Sequence, residues 1–293
     1  MTNEGYSLKK NTLGYMEVYP KPTVQMLESH YRDKYYQNSL GSYEFSYSKD
    51  ELSFFQNQAK LCEETISRYT ARGKTLLDIG CGEGFFSQYF LNKGWTIKCV
   101  DFSSNGLERN NPDVLPFFEQ ANVLTYLDRE DVISFQPCLI NLDNVLEHVL
   151  EPVELLKKIK RIMSKNAIAR IEVPNDFSAF QKLLVKTGCT KETWVDPLEH
   201  LSYFNKDSLV NLFEYVGFQI LSLQADYPIE QFLLNEHSNH WKNGALGKAA
   251  HISRVVCTNY LAEKNISRFV DYGEAAADLE FGRVLTAYVR LAS

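Results

Sequence analysis

The clearest chemical signal in the sequence is a glycine-rich turn between a short apolar run and an aromatic segment. Residues 75–79, TLLDI, are typical of a strand that is buried on both faces. Three glycines alternate along the turn that follows, namely Gly80, Gly82 and Gly84. Aromatic side chains then recur at helical spacing from Phe85. Strand, turn and helix together predict the first βαβ unit of a nucleotide-binding sheet, with a ligand lying against the glycine backbone.

The charge of this turn favours a cationic ligand. Asp78 precedes the turn and Glu83 lies within it. A pyrophosphate needs the helix N-terminus for itself, and two carboxylates repel it. Phe85 also occupies the position of the third glycine in a dinucleotide fingerprint. Both features disfavour a dehydrogenase and favour a ligand that carries a sulfonium or an ammonium group.

A further carboxylate follows the second predicted strand, residues 95–100. Asp101 lies 21 positions after Gly80, which is about the spacing at which an acidic residue reaches a ribose hydroxyl from the next strand end. The alternative is that Asp101 only caps the next helix. With the glycine turn in register, the sequence favours the ribose contact.

These residues resemble the D-x-G-x-G-x-G signature of class I S-adenosylmethionine-dependent methyltransferases. The resemblance implies S-adenosylmethionine as the cofactor. The cofactor-binding residues that it implies are Asp78, Gly80, Cys81, Gly82, Asp101, Phe102, Asn122, Val123 and Asp143. In that family the residue at Asp101 takes both ribose hydroxyls, and Phe102 would pack on the adenine. For Asn122, a bond to the adenine amino group and a plain turn role both stay open.

A second matching segment follows the predicted fourth strand. Residues 146–149, LEHV, together with Pro152 resemble the LEHV-x-x-P segment common in these methyltransferases. Methyl transfer to a hydroxyl needs a base, and the catalytic candidates are His148 and His200, which lies in the loop after the fifth strand. We expect His200 to face the substrate and His148 the cofactor side. His148 could instead hold the cofactor pocket, and His200 could instead cap the neighbouring helix.

The same segment raises the question of a metal ion. Some quinone-type O-methyltransferases carry E-x-x-E-H here as metal ligands, whereas this chain has Asn144 in place of the first glutamate, before Glu147 and His148. An amide is a poorer ligand than a carboxylate for a hard cation. We therefore predict that no metal is required.

The resemblance implies an α/β fold: a Rossmann-like, seven-stranded, mostly parallel sheet with the last strand antiparallel and helices on both faces. The predicted strands are 75–79, 95–100, 116–119, 137–142, 167–173, 218–224 and 282–289. Ser48 and Glu51 form a capping-box sequence at the start of an amphipathic helix. Asn205 and Gly217 are typical of the two ends of another.

Two segments extend this methyltransferase domain, which we assign to 73–293. Residues 1–72 are rich in aromatic side chains and predict an N-terminal helical cap. The segment 228–281 is too long for a hairpin and predicts a helical insertion that forms a substrate pocket, a lid or a subunit interface. The substrate-binding candidates are Tyr35, Tyr36, Asn175 and Trp194. The tyrosines could instead only pack, or could pair two subunits in a homodimer.

The order of residues 199–205, EHLSYFN, then a helix and VGF, is similar to a branch of the family that contains many surface-polysaccharide and natural-product methyltransferases. This similarity implies a small-molecule acceptor, with the hydroxyl of a sugar or sugar nucleotide as the leading class. Methylation of a protein or another macromolecule is one alternative. A cofactor-binding protein without catalysis is another.

Composition narrows the partners and the compartment. The net charge is −6 and no long basic run occurs, which disfavours binding to nucleic acid. No apolar stretch approaches membrane-spanning length, and the first residues are not typical of a secretory signal. The six cysteines are scattered without a CxxC pair. Reduced cysteines of this kind indicate a cytoplasmic protein.

Overall fold

The computed structural model describes residues 5–27, 46–69 and 73–292. Tyr35 and Tyr36 lie outside these ranges, so their proposed contact with substrate stays a prediction. Among the described residues, no helix is long and apolar enough to cross a membrane.

A seven-stranded sheet dominates the described part of the chain, beside a smaller sheet of three strands. The strands are β1 (Ser7–Lys10), β2 (Met16–Tyr19), β3 (Thr75–Ile79), β4 (Thr96–Asp101), β5 (Phe118–Gln120), β6 (Leu139–Asp143), β7 (Ile168–Pro174), β8 (Ser202–Tyr203), β9 (Phe218–Ala225) and β10 (Val284–Leu291). The large sheet has the order β5-β4-β3-β6-β7-β10-β9. Neighbours from β5 to β7 pair in parallel, and β10 is antiparallel to both β7 and β9. The predicted Rossmann-like fold is confirmed.

The central strands form because their residues are apolar without interruption. Leu76, Leu77 and Ile79 of β3 are completely buried, as are Ile140 and Leu142 of β6. Strands of this kind need helices on both faces of the sheet, and residues from both faces enter two large clusters of buried side chains. The parallel order brings the carboxyl ends of β3, β4 and β6 to the same edge, where ligands bind in sheets of this type.

The described part of the chain contains ten α-helices with defined bounds, and two of them have the predicted end signals. The ten helices are α1 (Lys49–Ser67), α2 (Phe85–Asn92), α3 (Asn105–Asn110), α4 (Val123–Tyr126), α5 (Glu130–Ile133), α6 (Pro152–Ile162), α7 (Ala179–Lys186), α8 (Lys206–Val216), α9 (Gly247–Lys264) and α10 (Ile266–Asp278). Ser48 and Glu51 make the reciprocal hydrogen bonds of a capping box at α1. Asn205 caps α8, and Gly217 ends it in the left-handed conformation.

The expectation of an entirely helical N-terminal cap is wrong for its first part. β1 and β2 form an antiparallel hairpin, and β2 also pairs with β8, far along the chain. The turn of the hairpin is held by Asn11, whose side chain accepts hydrogen bonds from the amides of Leu13 and Gly14, both at 2.9 Å. The third strand, β8, is only two residues long, and no local pattern announces it.

The insertion before the last strand is helical, as predicted. It consists of the 3-10 helices Ile229–Leu234 and Gly244–Leu246 followed by α9 and α10. Asn259 of α9 accepts a hydrogen bond from the side chain of Asn57 on α1 at 3.0 Å, and both side chains are buried. The insertion and α1 therefore form one layer against the sheet.

Candidate active site

The glycine turn between β3 and α2 has a shape that only glycine permits. Gly80 has a φ of +72°, and a Cβ atom there would lie 2.3 Å from Cγ2 of Val145. Gly84 has a φ of +76°, and a Cβ atom there would lie 2.2 Å from Cδ2 of Leu107. The turn therefore packs closely against Val145, which follows β6, and against Leu107 of α3, and we call this side-chain-free stretch of backbone the cradle.

Asp101 at the end of β4 is anchored to this turn. Its Oδ2 accepts a hydrogen bond from the amide of Gly82 at 2.9 Å, and its Oδ1 accepts one from the amide of Ser103 at 3.3 Å. Burial raises the pKa of Asp101, while these amide hydrogen bonds oppose that rise. Neither bond goes to the first turn of α3, so the arrangement fits the ribose contact better than a helix cap.

The two adenine candidates lie on the loops after β4 and β5. Phe102 is 57% exposed, and its carbonyl accepts a hydrogen bond from the side chain of Gln120 at 2.8 Å. Asn122 caps α4, because its Oδ1 accepts hydrogen bonds from the amides of Leu124 and Thr125. The oxygen that the adenine amino group would need is therefore engaged, and the Nδ2 group suits a ring nitrogen instead. Val123 next to it is buried.

The two carboxylates of the turn serve the protein itself. Asp78 is buried and accepts hydrogen bonds from Ser87 Oγ at 2.5 Å and Asn141 Nδ2 at 2.7 Å. Burial raises the pKa of Asp78 to about 6. Glu83 accepts hydrogen bonds from Tyr47 and Asn110. The expected direct contact between Asp78 and the cofactor is therefore not supported, and Asp78 instead connects β3 to α2 and β6.

A more open carboxylate stands at the end of β6. The side chain of Asp143 is 38% exposed and accepts a hydrogen bond from Arg170 Nη1 at 3.1 Å. Arg170 also pairs with Glu172, whose pKa burial raises to about 7. Arg170 offsets the charge of both carboxyls, and Asp143 is the more exposed of the two.

The two candidate histidines lie together. Their ring centroids are 4.9 Å apart, although His148 follows β6 and His200 precedes β8. His148 Nδ1 lies 2.5 Å from the carbonyl oxygen of Glu199. Because a carbonyl can only accept, Nδ1 carries the hydrogen, and the Nε2 atom of a neutral His148 presents a lone pair. That Nε2 atom lies 3.7 Å from Oε1 of Glu147.

The main chain explains why these distant segments meet. The amide of Leu201 donates to the carbonyl of Glu147 at 2.8 Å, and the amide of Val18 in β2 donates to the carbonyl of Leu201 at 3.0 Å. The N-terminal hairpin thereby fixes the loop that carries His200 against the segment that carries His148.

The comparisons with known proteins agree with this geometry. A family model described as a methyltransferase domain matches residues 54–223, which is more than half of the chain. The chain belongs to this methyltransferase family. With the seven-stranded sheet, the match confirms an S-adenosylmethionine-dependent methyltransferase of class I.

Similar proteins cover most of the described fold at low sequence identity. The ubiquinone biosynthesis O-methyltransferase of Glaesserella parasuis serovar 5 is 23% identical, over 54% of this chain and 74% of its own length. The plantazolicin methyltransferase BamL, solved with a desmethyl-plantazolicin analogue and S-adenosylhomocysteine, is 14% identical with a TM-score of 0.51, covering 92% of this chain and 97% of its own. The 1,6-didemethyltoxoflavin-N1-methyltransferase of Burkholderia thailandensis is 11% identical with a TM-score of 0.51, covering 100% and 98%.

The methyltransferase brings Glu147, His148 and His200 close enough to hold a metal ion, with donor atoms within 4.8 Å of one another. Glu147 is fully buried, and neither carboxylate oxygen has a hydrogen-bond partner among the described residues. Burial raises the pKa of Glu147 well above its ordinary value. One oxygen and two nitrogen ligands suit zinc better than a hard cation. The prediction that no metal is required stays a prediction, and Glu147 joins the candidate residues.

The two remaining substrate candidates differ in position. Asn175 is fully buried and its Nδ2 donates to the carbonyl of Gly282 at 3.0 Å, but its Oδ1 has no hydrogen-bond partner among the described residues, so its contact with substrate stays a prediction. Trp194 lines a cavity of about 350 Å³ together with Trp241, Glu230 and Arg283. The sequence analysis missed Glu230 and Arg283, because single charged residues in the insertion and before the last strand carry no motif.

Proposed function

We propose that this methyltransferase transfers the methyl group of S-adenosylmethionine to a hydroxyl of a small-molecule acceptor, with a sugar or sugar nucleotide as the acceptor class. The observation that carries the proposal is the contact between His148 and His200 beside the carboxyl end of β6. An acceptor oxygen needs a base, whereas many other acceptors do not. The relative from Glaesserella parasuis, named an O-methyltransferase, supports an oxygen acceptor.

The cofactor fits the edge of the sheet by its charge and shape. Asp101 lies at the correct strand end to take the ribose hydroxyls, and the exposed ring of Phe102 is available to the adenine. Asp143, the exposed carboxylate at the end of β6, would offer hydrogen-bond acceptors to the cationic end of the cofactor. The cradle at Gly80 lets that end lie against the backbone.

The bound cofactor supplies a methyl group on a sulfonium, which the acceptor oxygen takes in an in-line displacement. As the carbon–oxygen bond forms and the carbon–sulfur bond breaks, His148 Nε2 takes the hydroxyl proton. The sequence analysis favoured His200 in this role. We assign it to His148 because Glu199 fixes its tautomer.

The test is to incubate the full chain with methyl-labelled S-adenosylmethionine and an extract of its source cell, then to separate the label by size. Label in a small-molecule or lipid-linked sugar fraction supports the proposal, and mass spectrometry then identifies the methylated oxygen. Label in protein or nucleic acid overturns the acceptor class while keeping the cofactor. Cofactor binding without transfer in any fraction favours a non-catalytic role.

Asp101→Ala tests the cofactor site separately. We expect it to weaken binding of S-adenosylhomocysteine about tenfold or more in calorimetry, because a charged acceptor that lies beside the ribose is lost. Asp113→Ala, at an exposed position, is the matched control and should bind like the original chain. Equal affinities for the two variants would contradict the assignment of Asp101.

A further inference from the structure

A cavity of about 350 Å³ lies between α7, the loop before β8 and the first part of the insertion. Its lining residues are Gln181, Leu184, Thr190, Thr193, Trp194, Ile229, Glu230, Leu233, His240, Trp241 and Arg283. This volume is within the range of small-molecule sites, and the mixture of aromatic and polar residues is typical of them.

Three buried polar atoms of the lining have no hydrogen-bond partner among the described residues: one is His240 Nδ1, and the other two belong to Trp194 and Glu230. Trp194 and Glu230 are each 8% exposed, yet neither Trp194 Nε1 nor Glu230 Oε2 has a hydrogen-bond partner among the residues that the structure describes. Buried polar groups are normally hydrogen-bonded. The indole can only donate and an ionised carboxylate can only accept, whereas a hydroxyl does both. A ligand with several hydroxyls could therefore form hydrogen bonds with both the indole N–H of Trp194 and the carboxyl group of Glu230.

The apolar part of the lining has a matching form. Trp194 lines one part of the cavity, and Trp241, which is 38% exposed, lines another. Indole rings give large, rigid and flat apolar faces with a polar N–H at one edge. The C–H face of a sugar ring is flat and apolar while its rim carries hydroxyls. A sugar ring therefore suits both the indoles and the unpartnered polar atoms.

The charges of the cavity disfavour a phosphate. Among the described residues, Arg283 is the one lysine or arginine of the lining, and two carboxylates hold it. Its Nη1 lies 2.8 Å from Asp176 Oδ1, and its Nε lies 3.7 Å from Glu230 Oε1. Lys191 and Lys242, which neighbour lining residues in sequence, do not line the cavity. A phosphate would therefore meet an arginine that is already paired, and no lysine or second arginine among the described lining residues.

Ring contacts link the cavity to the candidate active site. Trp194 packs edge-to-face against Phe177, with centroids 5.6 Å apart, and Phe177 packs against Tyr203. Tyr203 in turn contacts His200, which contacts His148. The cavity therefore belongs to the acceptor side of the molecule, but several rings separate it from the base.

We propose that this cavity binds an uncharged sugar ring of the acceptor, at a distance from the methylated oxygen, and that it discriminates against sugar phosphates and sugar nucleotides. The inference rests on the proposed function and narrows its acceptor class. It predicts that the acceptor is a glycoside without a phosphate near this ring.

The test uses the full chain saturated with S-adenosylhomocysteine, with tryptophan fluorescence and calorimetry as readouts. Two of the three tryptophans line the cavity, so a ligand there should change the emission. The probes are the methyl glycosides of glucose, galactose, mannose, rhamnose and glucosamine, the corresponding hexose 1-phosphates, and UDP-glucose. We expect at least one uncharged glycoside to bind at least tenfold more tightly than its phosphate. Tighter binding of the phosphate or of UDP-glucose would overturn the inference. The absence of binding by every probe would also overturn it.

Three variants locate the binding. Trp241→Ala and Glu230→Gln should each weaken glycoside binding about tenfold in calorimetry, because each removes a complementary part of the lining. Tyr215→Ala removes an exposed aromatic ring of α8 that does not line the cavity, and it should leave the affinity unchanged. Equal losses in all three variants, or in none, would contradict the assigned place.

Two results separate this inference from the proposed function. Binding of S-adenosylhomocysteine should be the same in Trp241→Ala as in the original chain, which confirms an intact cofactor site. If the labelling experiment then identifies a methylated small molecule without a sugar, or a sugar nucleotide, this inference fails while oxygen methylation stands.

Discussion

The cofactor side and the acceptor side of this methyltransferase differ in how their polar groups are satisfied. On the cofactor side, Asp78 and Asp101 already accept hydrogen bonds from the turn, from Ser87 and from a neighbouring strand. On the acceptor side, Glu147 and Glu230 are buried with carboxylate oxygens that have no hydrogen-bond partner among the described residues. The contrast indicates that the protein itself satisfies the carboxylates of the cofactor site. At the acceptor site, the acceptor would supply the missing hydrogen-bond partners.

The largest effect should come from His148→Gln. The variant keeps a polar side chain of similar length but removes the base, so we expect kcat to fall about 100- to 1000-fold while cofactor affinity is unchanged. His237→Gln, at an exposed position, is the control. A parallel loss of cofactor binding in His148→Gln would place His148 on the cofactor side of the comparison.

Gly80→Ala should weaken cofactor binding without changing the acceptor side. A Cβ atom would lie 2.3 Å from Val145, in a backbone conformation that alanine rarely adopts. We expect a loss of about 100-fold in affinity for S-adenosylhomocysteine, measured by calorimetry. Gly94→Ala is a matched control, because Gly94 has a similar φ of +75° with nothing within 4 Å of the added atom. If both variants bound equally weakly, backbone strain and not the shape of the cradle would be responsible.

Glu230→Gln should change how the free energy of unfolding depends on pH, which tests whether Glu230 on the acceptor side is a buried acid. Burial raises the pKa of Glu230 to about 7, against the pull of Arg283. A carboxyl with a raised pKa in the folded state holds its proton more tightly than in the unfolded state. Its contribution to the free energy of unfolding is therefore present at low pH and is lost as the pH rises from about 4.5 towards 7.

Glutamine cannot ionise. Between pH 4.5 and pH 7, the free energy of unfolding of the variant should therefore fall by about 2 kcal/mol less than that of the original chain. Urea unfolding at a series of pH values measures the difference, with the exposed Glu236→Gln as control. Identical pH profiles for the two variants would show that Glu230 is not a buried acid.

The parts of the fold that the sequence predicts are those whose cause is local. The glycine turn, the capping box of α1 and the apolar central strands each depend on residues within about ten positions of one another. The sheet β1-β2-β8 escaped prediction because β8 is two residues long and its partner lies about 185 residues earlier. The approach of His200 to Glu147 also escaped prediction, because it depends on a backbone hydrogen bond between Leu201 and Glu147, which are far apart in the sequence.

The position of a residue was easier to predict than the direction of its side chain. Asp78 and Asn175 lie on or next to strand ends at the expected edge of the sheet, but both point into the protein. Whether a strand-end residue faces a ligand or a neighbouring strand depends on partners such as Asn141 and Gly282, which are remote in sequence. Asp101 lies at the end of β4 as its spacing from Gly80 predicts, and its contact with the ribose stays a prediction.

The hydrogen bond from Val18 to Leu201 allows the N-terminal hairpin to hold the loop that carries His200 in place. The hairpin also contributes Tyr15 to the main cluster of buried side chains, where its ring centroid lies 4.9 Å from that of Phe204. Removal of the first twenty residues by a protease should therefore lower the free energy of unfolding and also release the loop that carries His200, although the hairpin pairs with no strand of the seven-stranded sheet. Proteolysis at this end would couple loss of turnover to loss of stability.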